Sequence, residues 1–578
     1  MAISTMSMAE KSDSFQALGK SQPFRGPTLL QYTPHDPITI ENDDQLANTA
    51  VAGSGTAADP FIFEGWQIAA ATKYAIKITG TTQCFIIRNC WVEAICVSHC
   101  PTYGIYLHNI GIGTATITNN TCQNSNYGLC LEDNAENTTV TYNTFSHNVD
   151  GGLIAYGSGN STISHNIFQN NGEGIFLWGC GQSTVTDNLC QNNTRRGMYL
   201  KGVPSSIIAN NTSSQNSDPG ILVEYSANST ITNNTFLEDG LDIWENSLED
   251  YLSYLVENNW VNGLPLGFLT DQQELNVTLA YGQLFLISCT DVLIEGHAFS
   301  NTAVGIALYY CSAVQIRNTT SQNNRYGITL HQSDSATIVN NNCSRNSVGM
   351  WISQSNNVSI VNNNCSLNSL DGIDFESSGS LIVNNSFNGN GRWGMEVGGS
   401  NCVVANNTGS RNAKDGIRLY GANFFSVADN ICQNNKESGI SIENTDNCVV
   451  AGNRLETNNG YGICLGLWDE GSDNNVLYQN FFIKNGASPQ AYDDDVNNTW
   501  YDPATKEGNY WSDYAGTEAY HIGGHAGTSD RYPLDEYGNP YPQSTEKTGM
   551  PGWFFLGCFF LLAVRLAIPP KHRKSLGK

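Results

Sequence analysis

A chain of 578 residues with a formal charge of −26 and only 14% charged side chains is no basic nucleic-acid binder, because its field repels phosphate backbones. Its length suggests several globular domains, yet its polar surface is Asn, Ser, Thr and Gly rather than charge, and that bias points to repetition along one dimension. Arg565, Lys571, Arg573, Lys574 and Lys578 stand beyond position 549 with no acid among them, so the preceding body is more acidic still.

Residues 1–37 are polar and lack the apolar core of a secretory leader. A first β-helical part is expected over 38–243, entered near "GSGTAADPFIFEGWQI". One phrase returns through it as GIYL (104), GLCL (128), GLIA (152), GIFL (174), GMYL (197), GILV (220) and GLDI (240). Residues 244–286 break the period and read as an insertion or connector. From 287 to 483 the phrase resumes as GIAL (305), GITL (327), GMWI (349), GIDF (372), GMEV (394), GIRL (416), GISI (439) and GICL (462), spaced 22 or 23 residues apart. A period in the low twenties is the mark of a solenoid.

Between these phrases an apolar residue is followed three positions later by Asn: Asn120, Asn143, Asn166, Asn188, Asn211 and Asn234, then Asn341, Asn363, Asn385, Asn407, Asn430 and Asn453. Asn tolerates left-handed backbone angles, and its amide both donates and accepts, so such residues can bond like rungs at one corner of stacked coils. Two residues beyond lies a mostly apolar row that includes Cys122, Cys190, Cys343, Cys365 and Cys432, where free thiols pack as small hydrophobes. Short alternating strands with no helical stripe between them define an all-β parallel β-helix, each coil hydrogen-bonded to the next.

Residues 484–548 read as a cap rich in aromatics. The apolar run 553–568, interrupted only by Arg565, is expected to be a transmembrane helix, with the basic tail 569–578 inside the cell and the β-helix outside.

Three segments outside the repeat carry a resemblance. "GSGTAADPFIFEG", "NNWVNGLPLGF…GQLFLISCTDVLI" and "NTWYDPATKEGNYWSDYAGT…DRYPL" resemble the NosD-type proteins of the wider CASH repeat family, over roughly 38–536. The resemblance implies a right-handed, single-stranded β-helix of pectin-lyase-like fold. The C-terminal run also resembles anchors of archaeal cell-surface proteins. Where relatives carry an acidic "DGDGIGD"-like loop suggestive of Ca²⁺, this chain reads "EAYHIGGHAG". The family name implies a periplasmic copper-related role, but seven Met and no Cys/His/Met cluster offer copper little. His521 and His525, with Asp513 or Asp530, are the candidate ligands for a divalent cation, and no cofactor is required.

Residues one and three after each Gly are apolar and face in, so residues two and four face out. The outward rows are Thr329, Trp351, Asp374, Glu396, Arg418, Ser441 and Tyr309, His331, Ser353, Glu376, Gly398, Tyr420, Glu443. Two functions fit them. In one, a non-catalytic surface protein holds polysaccharide or a surface glycoprotein through Trp351, Tyr420, Glu376, His331, Trp178 and Tyr199. In the other, a polysaccharide lyase, hydrolase or epimerase uses Asp374 and Glu396, about 4.8 Å apart on adjacent coils, beside Arg418.

Overall fold

The computed structural model describes residues 32–95, 100–466, 471–516 and 518–539. Its strands are short, mostly three to seven residues, and nearly all pair in parallel with their counterparts one coil away. The GIxL strands Tyr103–His108, Tyr127–Glu132, Gly151–Tyr156 and Glu173–Trp178 lie side by side, with Ile105, Leu129, Leu153 and Ile175 in register. Two further sheets close each coil, one through Val140, Ile163 and Val185 and one through Cys122, Phe145, Phe168 and Cys190. All of these side chains are fully buried, the five inward-row cysteines included.

The Asn rungs form the expected ladder. Asn120 Nδ2 donates to Asn143 Oδ1 at 3.0 Å, Asn143 to Asn166 and Asn166 to Asn188 likewise, and each Nδ2 also reaches a backbone carbonyl of the coil before. The left-handed turn, however, falls on the preceding residue: Asn119, Tyr142, His165, Asp187, Asn210 and Asn233 have φ between 55° and 59°. The rung is therefore Asn for its amide, and its neighbour absorbs the backbone bend even when it is Tyr or His. A second ladder, Asn148, Asn171, Asn193, Asn216, ends on Asp239. The phrase-opening Gly is needed for close approach: a Cβ on Gly349 would meet the Gly372 carbonyl oxygen at 2.4 Å.

The stack is two solenoids. The stretch 244–286 holds a short helix, Leu248–Leu252, after which Leu255–Glu257 and Trp260–Val261 still pair in parallel with Thr230–Thr232 and Thr235–Phe236. The chain then reverses. Trp260–Val261 pairs antiparallel with Leu264–Pro265, and Leu266–Thr270 opens a new parallel sheet with Gln283–Ile287. At this hairpin the two faces of the sheet exchange roles. Phe285, Ile287, Ala307 and Tyr309 join the core of the first solenoid, while Leu284, Leu286, Ile306 and Leu308 form that of the second. The outer face of the second solenoid's first strands thus covers the end of the first, which explains why Gln283–Ile287 and Val304–Tyr309 are buried throughout. A strand buried on both faces reads as a continuous apolar run.

The far end is closed by Trp500 and Trp511, whose indole N–H groups donate to Asp493 and Asp530 at 2.8 Å, with Phe482, Trp511 and Tyr520 stacked. The expected transmembrane segment 553–568 lies outside the described residues, and no described helix is long and apolar enough to cross a membrane.

Candidate functional site

The outward rows run as the alternation requires. Thr329, Trp351, Asp374, Glu396, Arg418 and Ser441 are consecutive partners across five strand pairs, and His331, Ser353, Glu376 and Gly398 form the parallel row. A third outward row, unmarked by the two-and-four rule, precedes the phrase Gly: Tyr326 and Val348, then Asp371, Trp393 and Asp415. These residues stand three positions before the next outward row, an odd offset, so a strict period of two misses them.

Charges on this wall are largely paired. Arg418 donates to Glu396 Oε1 at 2.6 Å and to Glu443 Oε2 at 2.5 Å. Arg392 Nε donates to both oxygens of fully buried Asp371, at 2.9 and 3.0 Å. The Trp393 ring sits among three cations, with Arg392 at 4.2 Å, Arg418 at 4.6 Å and Lys414 at 5.1 Å from its centroid. Trp393, Lys414, Asp415, Arg418, Tyr420, Glu437 and Glu443 line a pocket of about 420 Å³. The carboxylates of Asp374 and Glu376 accept no hydrogen bond from a described residue. Burial, then Glu396 and Asp371, push the Asp374 carboxyl up to about 6. Burial raises Glu396 as well, against the pull of Arg418 and Arg392.

The first solenoid meets this wall at a corner. Trp244 packs edge-on against Trp351 at 5.1 Å, and His331 stacks on Trp351 at 6.2 Å while its Nδ1 lies 2.8 Å from Ser353 Oγ. Arg325 Nη1 donates to Asp242 Oδ2 at 3.3 Å and lies over the Tyr326 ring at 5.1 Å. Asp242 is fully buried and pushed up to about 6, chiefly by burial. Beside the corner a cleft of about 660 Å³ separates the turns of the two solenoids, with Asp218, Glu238 and Asp239 on one wall and Arg325 and Arg345 on the other.

The six expected ligand-binding residues therefore part company. Trp351 and His331 serve the joint. Tyr199 stacks on Phe176 at 5.0 Å, lies under Arg196 at 4.3 Å and donates to Glu224, so both its faces are taken. Only Trp178 (52% exposed) and Tyr420 (42%) turn much ring to solvent, and Glu376 is exposed. Rings on consecutive coils are close enough to stack on each other and so leave edges outward. His521 is exposed on a two-residue strand, and His525 Nδ1 lies 2.8 Å from Asp494 Oδ1. Asp530 is committed to Trp511 and Asn509, and Asp513 to Gln490 and Tyr520. Among the described residues no group of three or more His, Cys, Asp or Glu gathers to hold a metal.

Three parallel sheets wound into coils, an inner Asn ladder and capped ends define a parallel β-helix, and residues 103–261 and 275–399 match the family "Right handed beta helix region". Residues 377–516, which hold Glu396, Arg418 and the capping Trp500 and Trp511 but not Asp374 or Glu376, match "Periplasmic copper-binding protein (NosD)". The chain thus matches right-handed β-helix proteins of the NosD type over these stretches. The thiols of Cys90, Cys180, Cys311 and Cys402 are buried and donate to backbone carbonyls.

Solved structures similar to the chain include the A-module of the mannuronan C-5 epimerase AlgE6 of Azotobacter vinelandii (17% identity, 56% of this chain and 88% of that one, TM-score 0.33). The periplasmic alginate epimerase AlgG matches at 13% identity over 76% and 83% of the two chains, TM-score 0.31. An alginate lyase of Paenibacillus sp. str. FPU-7 matches at 14% over 52% and 94%, TM-score 0.27. No curated protein sequence matches significantly.

Proposed function

We propose that the protein is a non-catalytic binder of extended carbohydrate outside the cytoplasm, its ligand lying along the outer wall of the second solenoid from Trp351 to Tyr420. The observation that carries this reading is the row Trp351, Asp374, Glu396, Arg418 on four consecutive coils, held rigid by strand pairing and leading into the Trp393 pocket. Sugars are bound by such alternation of ring edges or faces with charged hydrogen-bonding groups on a preorganised surface. The segment 553–568 tethers the protein to the membrane in this reading, and a chain ending at Thr548 then leaves the membrane fraction. Screening the full chain in detergent against a glycan array tests the binding. Retention of no glycan removes the proposal.

A second reading has its own support. Asp374, pushed up to about 6, is a carboxyl suited to proton donation, and Glu396 is its strand partner on the next coil, where a coil spacing of about 4.8 Å is near the separation of a retaining carboxylate pair. The ion pairs of Glu396 and Arg418 weigh against it, because a nucleophile held by Arg is a weaker one. Product analysis on any bound glycan decides. Turnover that Asp374→Asn and Glu396→Gln both abolish makes the protein an enzyme.

A further inference from the structure

The cleft beside the corner, about 660 Å³, has the size of small-molecule sites and shares no lining residue with the Trp393 pocket. Its two walls carry opposite charge, Asp218 and Glu238 on the first solenoid and Arg345 on the second. Two further charges there are already committed. Asp239 accepts from Asn216 Nδ2 at 2.7 Å and from Ser213 Oγ at 2.9 Å, and Arg325 is held by Asp242. Asp218 and Arg345 have no ion pair and no side-chain hydrogen bond to a described residue, and the Glu238 carboxylate has only the Gln215 amide, at 3.1 Å. The opposite charges are kept apart because each wall is a row of turns fixed coil to coil, Gln215 N–H donating to Leu237 O and Asn323 N–H to Arg345 O.

A second observation concerns what else the walls present. The side chains of Asn192, Asn301 and Asn323 line the cleft from left-handed turns, at φ between 53° and 56°, and make no hydrogen bond to a described residue. Each carboxamide offers a donor and an acceptor, the complement of a peptide group. On the two coils after Asn323 the same turn holds Arg345 and Leu367 at φ 61°, where neither side chain is favoured and Asn serves better. Leu367 is 56% exposed and also lines the cleft. Unfavoured backbone of this kind persists where the side chain it displays has a use.

We infer that the cleft binds a short zwitterionic peptide, its α-ammonium group against Asp218 and Glu238 and its α-carboxylate against Arg345. The peptide groups between meet the three Asn side chains, and an apolar side chain meets Leu367. A neutral sugar chain, or one charged with a single sign, leaves at least one wall without its complement. The site is separate from the carbohydrate wall and stands whether or not that wall holds glycan.

The test uses the full chain in detergent at about 0.15 M salt, where long-range attraction is screened. Calorimetric titrations compare tetra-alanine, its N-acetyl form, which lacks the cation, its C-terminal amide, which lacks the anion, and cellotetraose. Tetra-alanine is expected to bind more tightly than either blocked form by about tenfold or more. In Arg345→Asn the margin over the amide is expected to vanish while the margin over the acetyl form stays. In the Asp218→Asn/Glu238→Gln double variant the reverse is expected. Asn suits the left-handed turn at position 345, so that variant is expected to melt no lower than the native chain. The three peptides already discriminate on the native chain, whatever a variant does to folding. Equal binding of the three, no binding of tetra-alanine at about 1 mM, or a margin that survives its own variant overturns the inference. Tighter binding of cellotetraose, weakened by either variant, overturns it in favour of a sugar site.

Discussion

In the first solenoid Tyr103 and Tyr127 before the phrase Gly, with Tyr74 in register before them, stack at 5.5 Å, and the next row pairs Phe176 with Tyr199 at 5.0 Å. In the second, the same rows carry Tyr326, Asp371, Trp393 and Asp415, and Trp351, Asp374, Glu396 and Arg418. Both rest on one coil plan with the same ladder of Asn beneath. The difference is that the first solenoid satisfies its outer rings against each other, whereas the second leaves two carboxylates unpaired. Outer-row chemistry is free to diverge because the inner rows alone hold the coil.

Breaking the joint between the two has the largest expected effect. Tyr309 is fully buried and stacks on Tyr251 at 4.4 Å although it belongs to an outward row of the second solenoid. Tyr309→Ala removes an aromatic from a closed core and costs about 3–5 kcal/mol. Because the loss falls on the shared surface, calorimetry on Tyr309→Ala is expected to resolve two unfolding transitions in place of one. Trp511→Ala, at the far cap, is expected to lower only the second solenoid's transition.

Next comes the ladder, which ought to matter equally on both sides. Asn166 donates to Asn188 and two carbonyls and accepts from the Asn143 backbone and side chain, and Asn363 does the same between its neighbours. Alanine at either leaves several buried groups without partners, at about 1–3 kcal/mol for each group not rescued by water. Similar losses of melting temperature for Asn166→Ala and Asn363→Ala are expected. A loss in one solenoid alone would mean that their frames differ.

A smaller effect concerns pH. In the folded chain Asp242 is pushed up to about 6, above its ordinary unfolded value of about 3.9. The folded state therefore holds that proton more tightly. Its contribution is fully present below about pH 4 and is lost as pH rises through 6, by roughly 2–3 kcal/mol. Asp374 and Asp415 shift in the same direction, so the whole protein is expected to lose stability over this window. Asp242→Asn removes one group's share, and denaturant melts at pH 4 and pH 7 should differ less in it than in the native chain.

How much of this was legible in the sequence depended on what repeats. The coil, the inward rows and the Asn rungs recur many times, and each recurrence checks the others. The joint occurs once. Beyond the break in period at 244–286, its local sign was "LFLI" (284–287), apolar at every position where other coils alternate, and a strand with two dry faces differs from its neighbours by two or three side chains. Asp242 and Trp244 face the second solenoid only through that reversal, so no spacing along the chain relates them to Arg325 or Trp351. Arg392 and Trp393 escaped notice because the residues before Gly vary too much to look like a row. Outward direction was readable for Asp374, Glu396 and Arg418; pairing was not, since a ladder of strands fixes which residues are adjacent but not which rotamers meet.

The smallest expected effect sharpens the contrast between rings that pack and rings that are presented. Trp178 and Tyr199 occupy neighbouring coils of the first solenoid, and both were expected to meet a ligand. Tyr199 has Phe176 on one face, Arg196 near the other and a hydrogen bond to Glu224, whereas Trp178 is half exposed with Lys201 5.9 Å from its ring. Tyr199→Ala thus strips one stacked pair and one hydrogen bond to a charged group, together about 2–4 kcal/mol. Trp178→Ala removes a ring that water already wets, and the change is expected to stay within about 0.5 kcal/mol. The order reverses for binding if the first solenoid also contacts sugar, because only Trp178 has a face to offer. A Trp178→Ala chain that melts normally and binds normally confines the ligand to the second solenoid; one that melts normally but binds less extends the binding wall across the corner.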